Sequence, residues 1–314
     1  MDNKINIFIT GGSGYLAVSL ANILNFFFKV TLGTRNPHKI KLNHKNIKIK
    51  KIDYSKKTLL KCTKGYHTII HMVGMSSPAA SLNKKKSLQV KVQTTNNVIS
   101  ACNKNYIKNL IYISSIKVFK NFDKKNINKE NQIKDYKNVY SLSHLTAEKI
   151  VLLKTSSNVN IKILRLSNIF GLSKYHETEE VFNNLINNFC YQGITQESII
   201  IKNPNLIRNF LPLSIFAKVI INIVKGNIKK NIKIINLGYK SFNLHEIAKL
   251  IKEQIKIIYN KNIIIKTNLK LNKKKNFLYK SKNYNLYYYK KNFLNEKIKI
   301  LKIFKKINLN KNKL

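Results

Sequence analysis

The chain predicts an α/β fold built on a parallel, doubly wound sheet. Three observations lead there. An apolar run, Ile5–Thr10, enters the glycine-rich turn Gly11-Gly12-Ser13-Gly14, and helical periodicity begins at once with Tyr15. Short apolar runs then alternate with amphipathic stretches through the first half of the chain, the rhythm of strand-helix-strand crossovers. Finally, hydroxyl-bearing residues follow a buried run at Ser114-Ser115, where a strand's carboxyl edge would meet a ligand.

Taken in order, Ile5–Thr10, Phe28–Leu32, Ile47–Ile52, Thr68–Met72, Leu110–Ser114 and Ile161–Leu166 read as short buried strands. Tyr15–Leu24, Leu88–Lys104 and Tyr140–Lys154 carry helical periodicity. After about residue 170 the rhythm changes. Helical stretches at Val181–Tyr191, Leu213–Lys225 and Leu244–Ile255 are separated by short strands at Ser198–Ile201 and Ile232–Asn236. The expectation is a Rossmann-type domain over residues 1–170 and a smaller substrate lobe over 171–314, partly interleaved with it. The basic tail, 270–314, reads as a peripheral helix and strand or as loose chain.

Composition bounds the function. The 314 residues are 44% hydrophobic, enough for a packed core. The net charge is +46, from 59 Lys and Arg against 13 Asp and Glu. Such a surplus suits phosphate-bearing partners. The lysines spread over nearly every segment, however, whereas a nucleic-acid footprint clusters. Lys, Asn and Ile abound and Trp is absent, the pattern that AT-rich codons produce. No specific nucleic-acid partner is therefore expected, though anionic substrates would be attracted. Cys62, Cys102 and Cys190 lie far apart without a C-x-x-C pair, which points to neither a disulfide framework nor a metal site. No run reaches membrane-spanning length and no leader pattern precedes the first strand, so the chain reads as soluble and cytoplasmic.

The glycine turn is the first chemical signal. Gly11 and Gly14 let the backbone approach a pyrophosphate, and the amides at Tyr15 and Leu16 open the helix toward its charge. Ala17 stands where a third glycine would give the closest helix–strand packing. The second strand ends in Thr34-Arg35 rather than an acid; an arginine there favours the 2′-phosphate of NADP over the ribose hydroxyl of NAD. Asp53 follows the third strand, near where an adenine edge would lie, and reads equally as a turn cap. Met72-Val73-Gly74-Met75 follows the fourth strand, with Gly74 allowing close approach to the cofactor cleft. Tyr140 and His144 lie four apart and share one helix face. A phenol beside a cation forms a general acid/base unit, and Ser115 can hydrogen-bond the same substrate oxygen. His71, at a strand end, reads as a satisfied core residue.

The ordered set T-G-G-S-G-Y, I-S-S, Y-x-x-S-x-x-x-A-E-K and R-L-S-N-I-F-G resembles the NAD-dependent epimerase/dehydratase family of extended short-chain dehydrogenases/reductases, over about residues 5–255. The resemblance implies a bound nicotinamide dinucleotide, NAD or NADP, and a nucleotide-sugar substrate. It makes Ser115 and Tyr140 catalytic, turns Asp53 toward the adenine, and assigns Asn168 and Arg208 to the substrate diphosphate, a task suited to a bidentate guanidinium. It also implies pairing of subunits through helices, hence a homodimer. The function expected is a sugar-nucleotide epimerase or reductase acting by hydride transfer. The alternative is a catalytically impaired homologue that binds cofactor and senses, scaffolds or associates with RNA. The departure behind that alternative is His144, where the family has lysine. A histidine, with an ordinary pKa of about 6.5, is largely neutral at pH 7 and supplies less electrostatic help. Lys149, nine positions from Tyr140, lies about two and a half turns away and cannot replace it. Asn209 likewise stands where the family has an acid.

Overall fold

The computed structural model describes residues 4–40, 42, 44–120, 134–171 and 184–268. The basic tail therefore lies outside the described residues. The chain divides into two compact units. The first draws on residues up to Lys120, 134–166 and 217–236, the second on 167–171, 184–216 and the chain from Leu237.

The first unit is built on seven strands. Asn6–Thr10 (β1), Lys29–Thr34 (β2), Ile47–Lys51 (β3), Thr68–His71 (β4), Asn109–Ser115 (β5), Asn160–Leu166 (β6) and Ile234–Leu237 (β10) pair in the order β10-β6-β5-β4-β1-β2-β3. The pairs β1–β2, β2–β3, β1–β4, β4–β5 and β5–β6 are parallel. The order reverses between β1 and β4, so the crevice that binds ligands in such sheets opens at their carboxyl ends. The inner strands β1, β4 and β5 are buried along nearly their whole length and carry mostly apolar residues, as strands covered on both faces require, whereas the outer β3 alternates Ile and Lys. The sequence puts Ile232–Asn236 with the second lobe; in the structure Ile234–Leu237 instead forms the outer strand beside β6. Ile235 and Leu237 are fully buried there, which rewards addition to the larger sheet.

Helices Tyr15–Leu24 (α1), Lys56–Cys62 (α2), Ser77–Leu82 (α3), Lys84–Lys104 (α4) and Val139–Lys154 (α5) supply the crossovers. The core under α2, α4 and α5 joins Phe8, Leu59, Ile69, Val98, Tyr112, Val151 and Ile163. Polar groups within this layer are matched. Glu148 on α5 accepts from Arg165 on β6 at 2.6 and 3.0 Å and from Ser114 on β5 at 2.5 Å, all three side chains being buried. Lys162 donates from β6 to the carbonyl of Lys229 at 2.9 Å, and burial lowers its pKa to about 8.

Among the described residues between β2 and β3, the 3₁₀ turn Pro37–Lys39 is the one helical element, and no α-helix makes the crossover. Lys29, Lys45, Lys48, Lys50 and Lys64 line a cavity of about 340 Å³ at this edge, with Thr31 and Tyr66 at its base.

In the second unit Asn168–Phe170 (β7), Ile207–Pro212 (β9) and Lys240–Asn243 (β11) form one small sheet, and Ser198–Ile201 (β8) pairs with Ile264–Thr267 (β12) in another. Helices Leu185–Thr195 (α6), Leu213–Val224 (α7) and Leu244–Tyr259 (α8) complete the described elements, α7 passing from the second unit into the first. Helix α6 runs beyond the Tyr191 end that periodicity predicts. It continues through Gly193, where an added Cβ would lie 2.6 Å from Ile255 on α8. Helix α8 begins in a capping box between Asn243 and Glu246.

The Glu148–Arg165 pair gives a direct stability test. Arg165→Met leaves a buried carboxylate without its partner and should cost about 3–5 kcal/mol in urea unfolding. The double variant Glu148→Gln/Arg165→Met should recover much of that loss.

Candidate active site

The glycine turn is shaped from below. Gly11 has φ +73°, and a Cβ there would lie 3.1–3.2 Å from the backbone of Met72 and Val73. Its N–H donates to the Tyr54 hydroxyl at 2.8 Å, and that hydroxyl donates in turn to the Gly33 carbonyl at 2.8 Å. Tyr54 thus latches the turn to β2. Its backbone holds φ 64°, a conformation unusual for a bulky residue. Burial raises its phenol above the ordinary 10.0, so it remains a neutral donor. Helix α1 starts at Gly14, which offers no side-chain cap, and its first turn carries no acid. The first intrahelical bond is Val18 N–H to Gly14 O at 3.1 Å, leaving the Leu16 and Ala17 amides ahead of it. These features fit a dinucleotide pyrophosphate: a backbone cradle that side chains would fill, under an uncapped helix start.

At the end of β2, the Thr34 hydroxyl accepts from Asn36 N–H at 3.1 Å, and Arg35 is exposed. Asp53 is exposed; its carboxylate accepts from Ser55 N–H at 2.9 Å, and that bond leads the causes that lower its pKa below 3.8. The structure therefore gives Asp53 a turn-capping contact.

Beneath the turn runs a hydrogen-bond chain whose direction can be derived. Thr95 Oγ1 donates to the Lys91 carbonyl at 2.7 Å, so its contact with His71 Nε2 at 3.1 Å must be an acceptance. His71 then carries its proton on Nε2, and Nδ1 accepts from Thr10 Oγ1 at 2.7 Å. Thr10 Oγ1 in turn accepts from Met72 N–H at 3.2 Å. Burial, reinforced by Lys91, lowers the His71 pKa to about 3. The core role that sequence assigns to His71 matches this geometry.

Lys91 is the residue that sequence reading passes over. It sits on the inward stripe of α4 with Ser87, Thr95 and Val98 and is 3% exposed. Its ammonium donates to the Val73 carbonyl at 2.7 Å and lies 5.7 Å from the Tyr112 ring centroid. An added Cβ on Gly74 would collide with its Nζ, so Gly74 makes room for this side chain. Burial lowers the Lys91 pKa to about 7. Its signal was positional, a lysine on an apolar helix face, and the abundance of lysine hid it.

Helix α5 delivers the reactive pair. Asn138 caps it, its side chain accepting from Tyr140 N–H at 2.9 Å. Tyr140 and His144 have ring centroids 4.7 Å apart. Desolvation raises the Tyr140 phenol above its ordinary 10.0, and Ser115, close enough to act on it, pulls it part of the way back. Thus the structure brings Ser115, Tyr140 and His144 together. Burial holds His144 well below 6.5, with Lys91 and then His71 adding to the effect, so its imidazole is neutral. Tyr112 Oη lies 3.1 Å from His144 Nδ1. Burial first, then Glu148 and Tyr140, keep that phenol protonated, and a buried hydroxyl needs an acceptor. Tyr112 therefore donates to Nδ1, and His144 presents Nε2–H.

In the second unit, Asn168 donates from Nδ2 to the Asn209 carbonyl at 2.8 Å. Asn209, standing where an acid was expected, donates to Ser241 Oγ at 3.0 Å and accepts from Tyr239 N–H at 3.0 Å. Arg208 lies on β9 opposite Phe242 of β11. Among the described residues no group of three or more His, Cys, Asp or Glu could hold a metal ion, and no helix is long and apolar enough to cross a membrane.

A doubly wound parallel sheet with a glycine turn at its switch point, and a Ser/Tyr pair at a neighbouring strand end, define a dinucleotide-binding α/β protein of the short-chain dehydrogenase type. The model of the NAD dependent epimerase/dehydratase family matches residues 7–238, and the chain belongs to that family. A comparison with curated proteins finds no match. Among solved structures, the chain is similar to a UDP-N-acetylglucosamine 4-epimerase from Methanobrevibacter ruminantium M1 in complex with UDP-N-acetylmuramic acid, at 19% identity and TM-score 0.75, covering 100% of each chain. It is also similar to a UDP-N-acetylglucosamine 4-epimerase from Bacillus cereus, at 21% identity and TM-score 0.68, covering 96% of this chain and 95% of that one. MoeE5 in complex with UDP-glucose and NAD shares 15% identity at TM-score 0.65, covering 84% and 85%.

Lys91 makes a testable contribution to stability. Below pH 7 both folded and unfolded chains hold its proton, and the folded state bears the full cost of a buried charge. Between its folded pKa, about 7, and the ordinary 10.5, only the unfolded chain holds that proton, so this cost falls as pH rises. Lys91→Met should therefore raise stability by about 1–4 kcal/mol at pH 6, and by less at pH 9, in chemical denaturation.

Proposed function

We propose that this chain is an NAD(P)-dependent sugar-nucleotide epimerase or reductase in which Tyr140 is the acid/base. The single observation that carries the reading is the placement of Tyr140, its ring centroid 4.7 Å from that of His144, beside Ser115 at the carboxyl end of β5, in a sheet whose β1 runs into a glycine cradle that fits a pyrophosphate. Gly11, Gly14, Tyr15 and Leu16 would hold the cofactor diphosphate. When bound, the nicotinamide supplies the acceptor or donor of a hydride at a sugar carbon.

The chain's own residues handle the proton. Tyr140, as phenolate, takes the proton of the sugar hydroxyl while the carbon gives up hydride; the reverse transfer returns both. Ser115 donates a hydrogen bond to the same sugar oxygen and holds it against the phenol. His144, fixed by Tyr112 with its proton on Nε2, offers a neutral N–H to a cofactor ribose hydroxyl. Asn168 and Arg208 are the candidates for the substrate diphosphate. The 4-epimerases among the structural neighbours support an epimerase acting on a UDP-sugar, and Arg35 supports NADP over NAD.

Native mass spectrometry of the purified protein, followed by a panel of UDP-sugars, tests the reading. Retained dinucleotide and interconversion of two sugars at constant cofactor are the results expected of an epimerase; stoichiometric consumption of the reduced cofactor marks a reductase. Tyr140→Phe should lower turnover by about 10²–10⁴ and leave cofactor binding intact. Bound dinucleotide with no turnover of any sugar would instead favour the impaired homologue. Arg35→Ala should weaken NADP relative to NAD by about tenfold or more, as expected for loss of a charge-assisted bond.

A further inference from the structure

The neutral imidazole at position 144 leaves the acid/base without a cation one turn along its helix. The phenol has a cation on another side. Lys117 Nζ lies 5.5 Å from the Tyr140 ring centroid. Lys117 follows Ser115 in the 3₁₀ turn Ile116–Val118, and its backbone is held at both ends. Its N–H donates to Ser115 Oγ at 3.2 Å, and its carbonyl accepts from Ser141 Oγ at 2.5 Å. Ser115 acts on the phenol, pulling its pKa down, and Ser141 is Tyr140's neighbour on α5. Four residues on three elements, β5, the 3₁₀ turn and α5, thus hold an ammonium beside the Tyr140 ring.

The surroundings supply no rival of equal standing. Among the described residues, the titratable groups around Tyr140 are His144 on its own helix, Tyr112 of β5, and, beyond these, Lys91 of α4, His71 of β4 and Glu148 of α5. His71 and His144 are neutral, and Tyr112 stays protonated. Glu148 is committed to Arg165 and Ser114. Lys91 bonds Val73 and sits against Tyr112. Lys117 is partly buried, and its backbone is fixed.

We propose that Lys117 supplies the positive charge that stabilises the Tyr140 phenolate, the task that position 144 does not perform in this chain. A cation beside a phenol favours the ionised form, so Lys117 brings proton transfer from a sugar hydroxyl nearer to neutral pH. It acts through Tyr140 and contacts no reacting carbon. The inference rests on Tyr140 being the acid/base of the proposed function.

Spectrophotometric titration of the whole protein, saturated with NAD⁺, tests it. The chain has 16 tyrosines, so the Tyr140 signal is isolated by subtracting the profile of Tyr140→Phe. Lys117→Met should raise the Tyr140 pKa by about one unit, Lys117→Arg should leave it unchanged, and Lys91→Met should move it less than Lys117→Met does. Lys117→Gln, with the same expected rise, serves where methionine does not fold; retained NAD⁺ binding reports the fold. An unchanged phenol in Lys117→Met, or a larger rise in Lys91→Met, overturns the proposal. The titration uses no sugar, so its result is separable from turnover: an upward shift in a protein that converts no sugar nucleotide would sink the enzymatic reading and keep the electrostatic one.

Discussion

The site depends on one buried chain of hydrogen bonds, from Met72 N–H through Thr10, His71 and Thr95 to the Lys91 carbonyl. It joins the last residue of β1, the end of β4 and the middle of α4. Gly11 begins where Thr10 ends, so the glycine turn inherits its position from this chain. Every donor in it has an acceptor and every proton a defined place, which lets the imidazole remain uncharged in the core. An ionised His71 would need a second acceptor where Thr10 now donates. Tyr54 completes the support from the other side by binding Gly11 and Gly33 together.

Above this base the charges are arranged unusually. Buried ammonium groups at Lys91 and Lys162 are satisfied by backbone carbonyls. With 13 acids in 314 residues, carbonyls are the acceptors in supply. One carboxylate, Glu148, takes a guanidinium and a hydroxyl and ties α5 to β5 and β6, setting the helix that carries Tyr140. Asn209 follows the same logic in the second unit: its buried amide offers donor and acceptor at once, donating to Ser241 and accepting from Tyr239 N–H. The neutral His144 belongs with these, an uncharged group whose orientation Tyr112 controls.

Much of this was legible in the residues. Apolar runs and a glycine turn placed β1 and α1, and Tyr15–Leu24 was bounded at both ends. The Tyr140/His144 spacing placed two rings on one helix face because helical geometry is local. What escaped were contacts between residues far apart in the chain. Lys91 looks like any other lysine until β4 and β5 are folded against it. Lys117 gains meaning only from a ring 23 positions later. The double hydrogen bond of Tyr54 depends on β1 and β2 meeting. Ile234–Leu237 was misplaced because four apolar residues carry no address; which sheet they join is decided by the burial offered there.

The lysine-lined edge at β2 and β3 has a consequence of its own. There Lys48 pairs with Thr31 across the strands and Lys50 Nζ lies 5.5 Å from the Tyr66 ring centroid, among further lysines that line the cavity. Dissolved anions screen such repulsion within about 8–10 Å at ordinary ionic strength. Dilute buffer removes that help, and the outer strands would then loosen first. For this protein, salt serves as a structural ingredient.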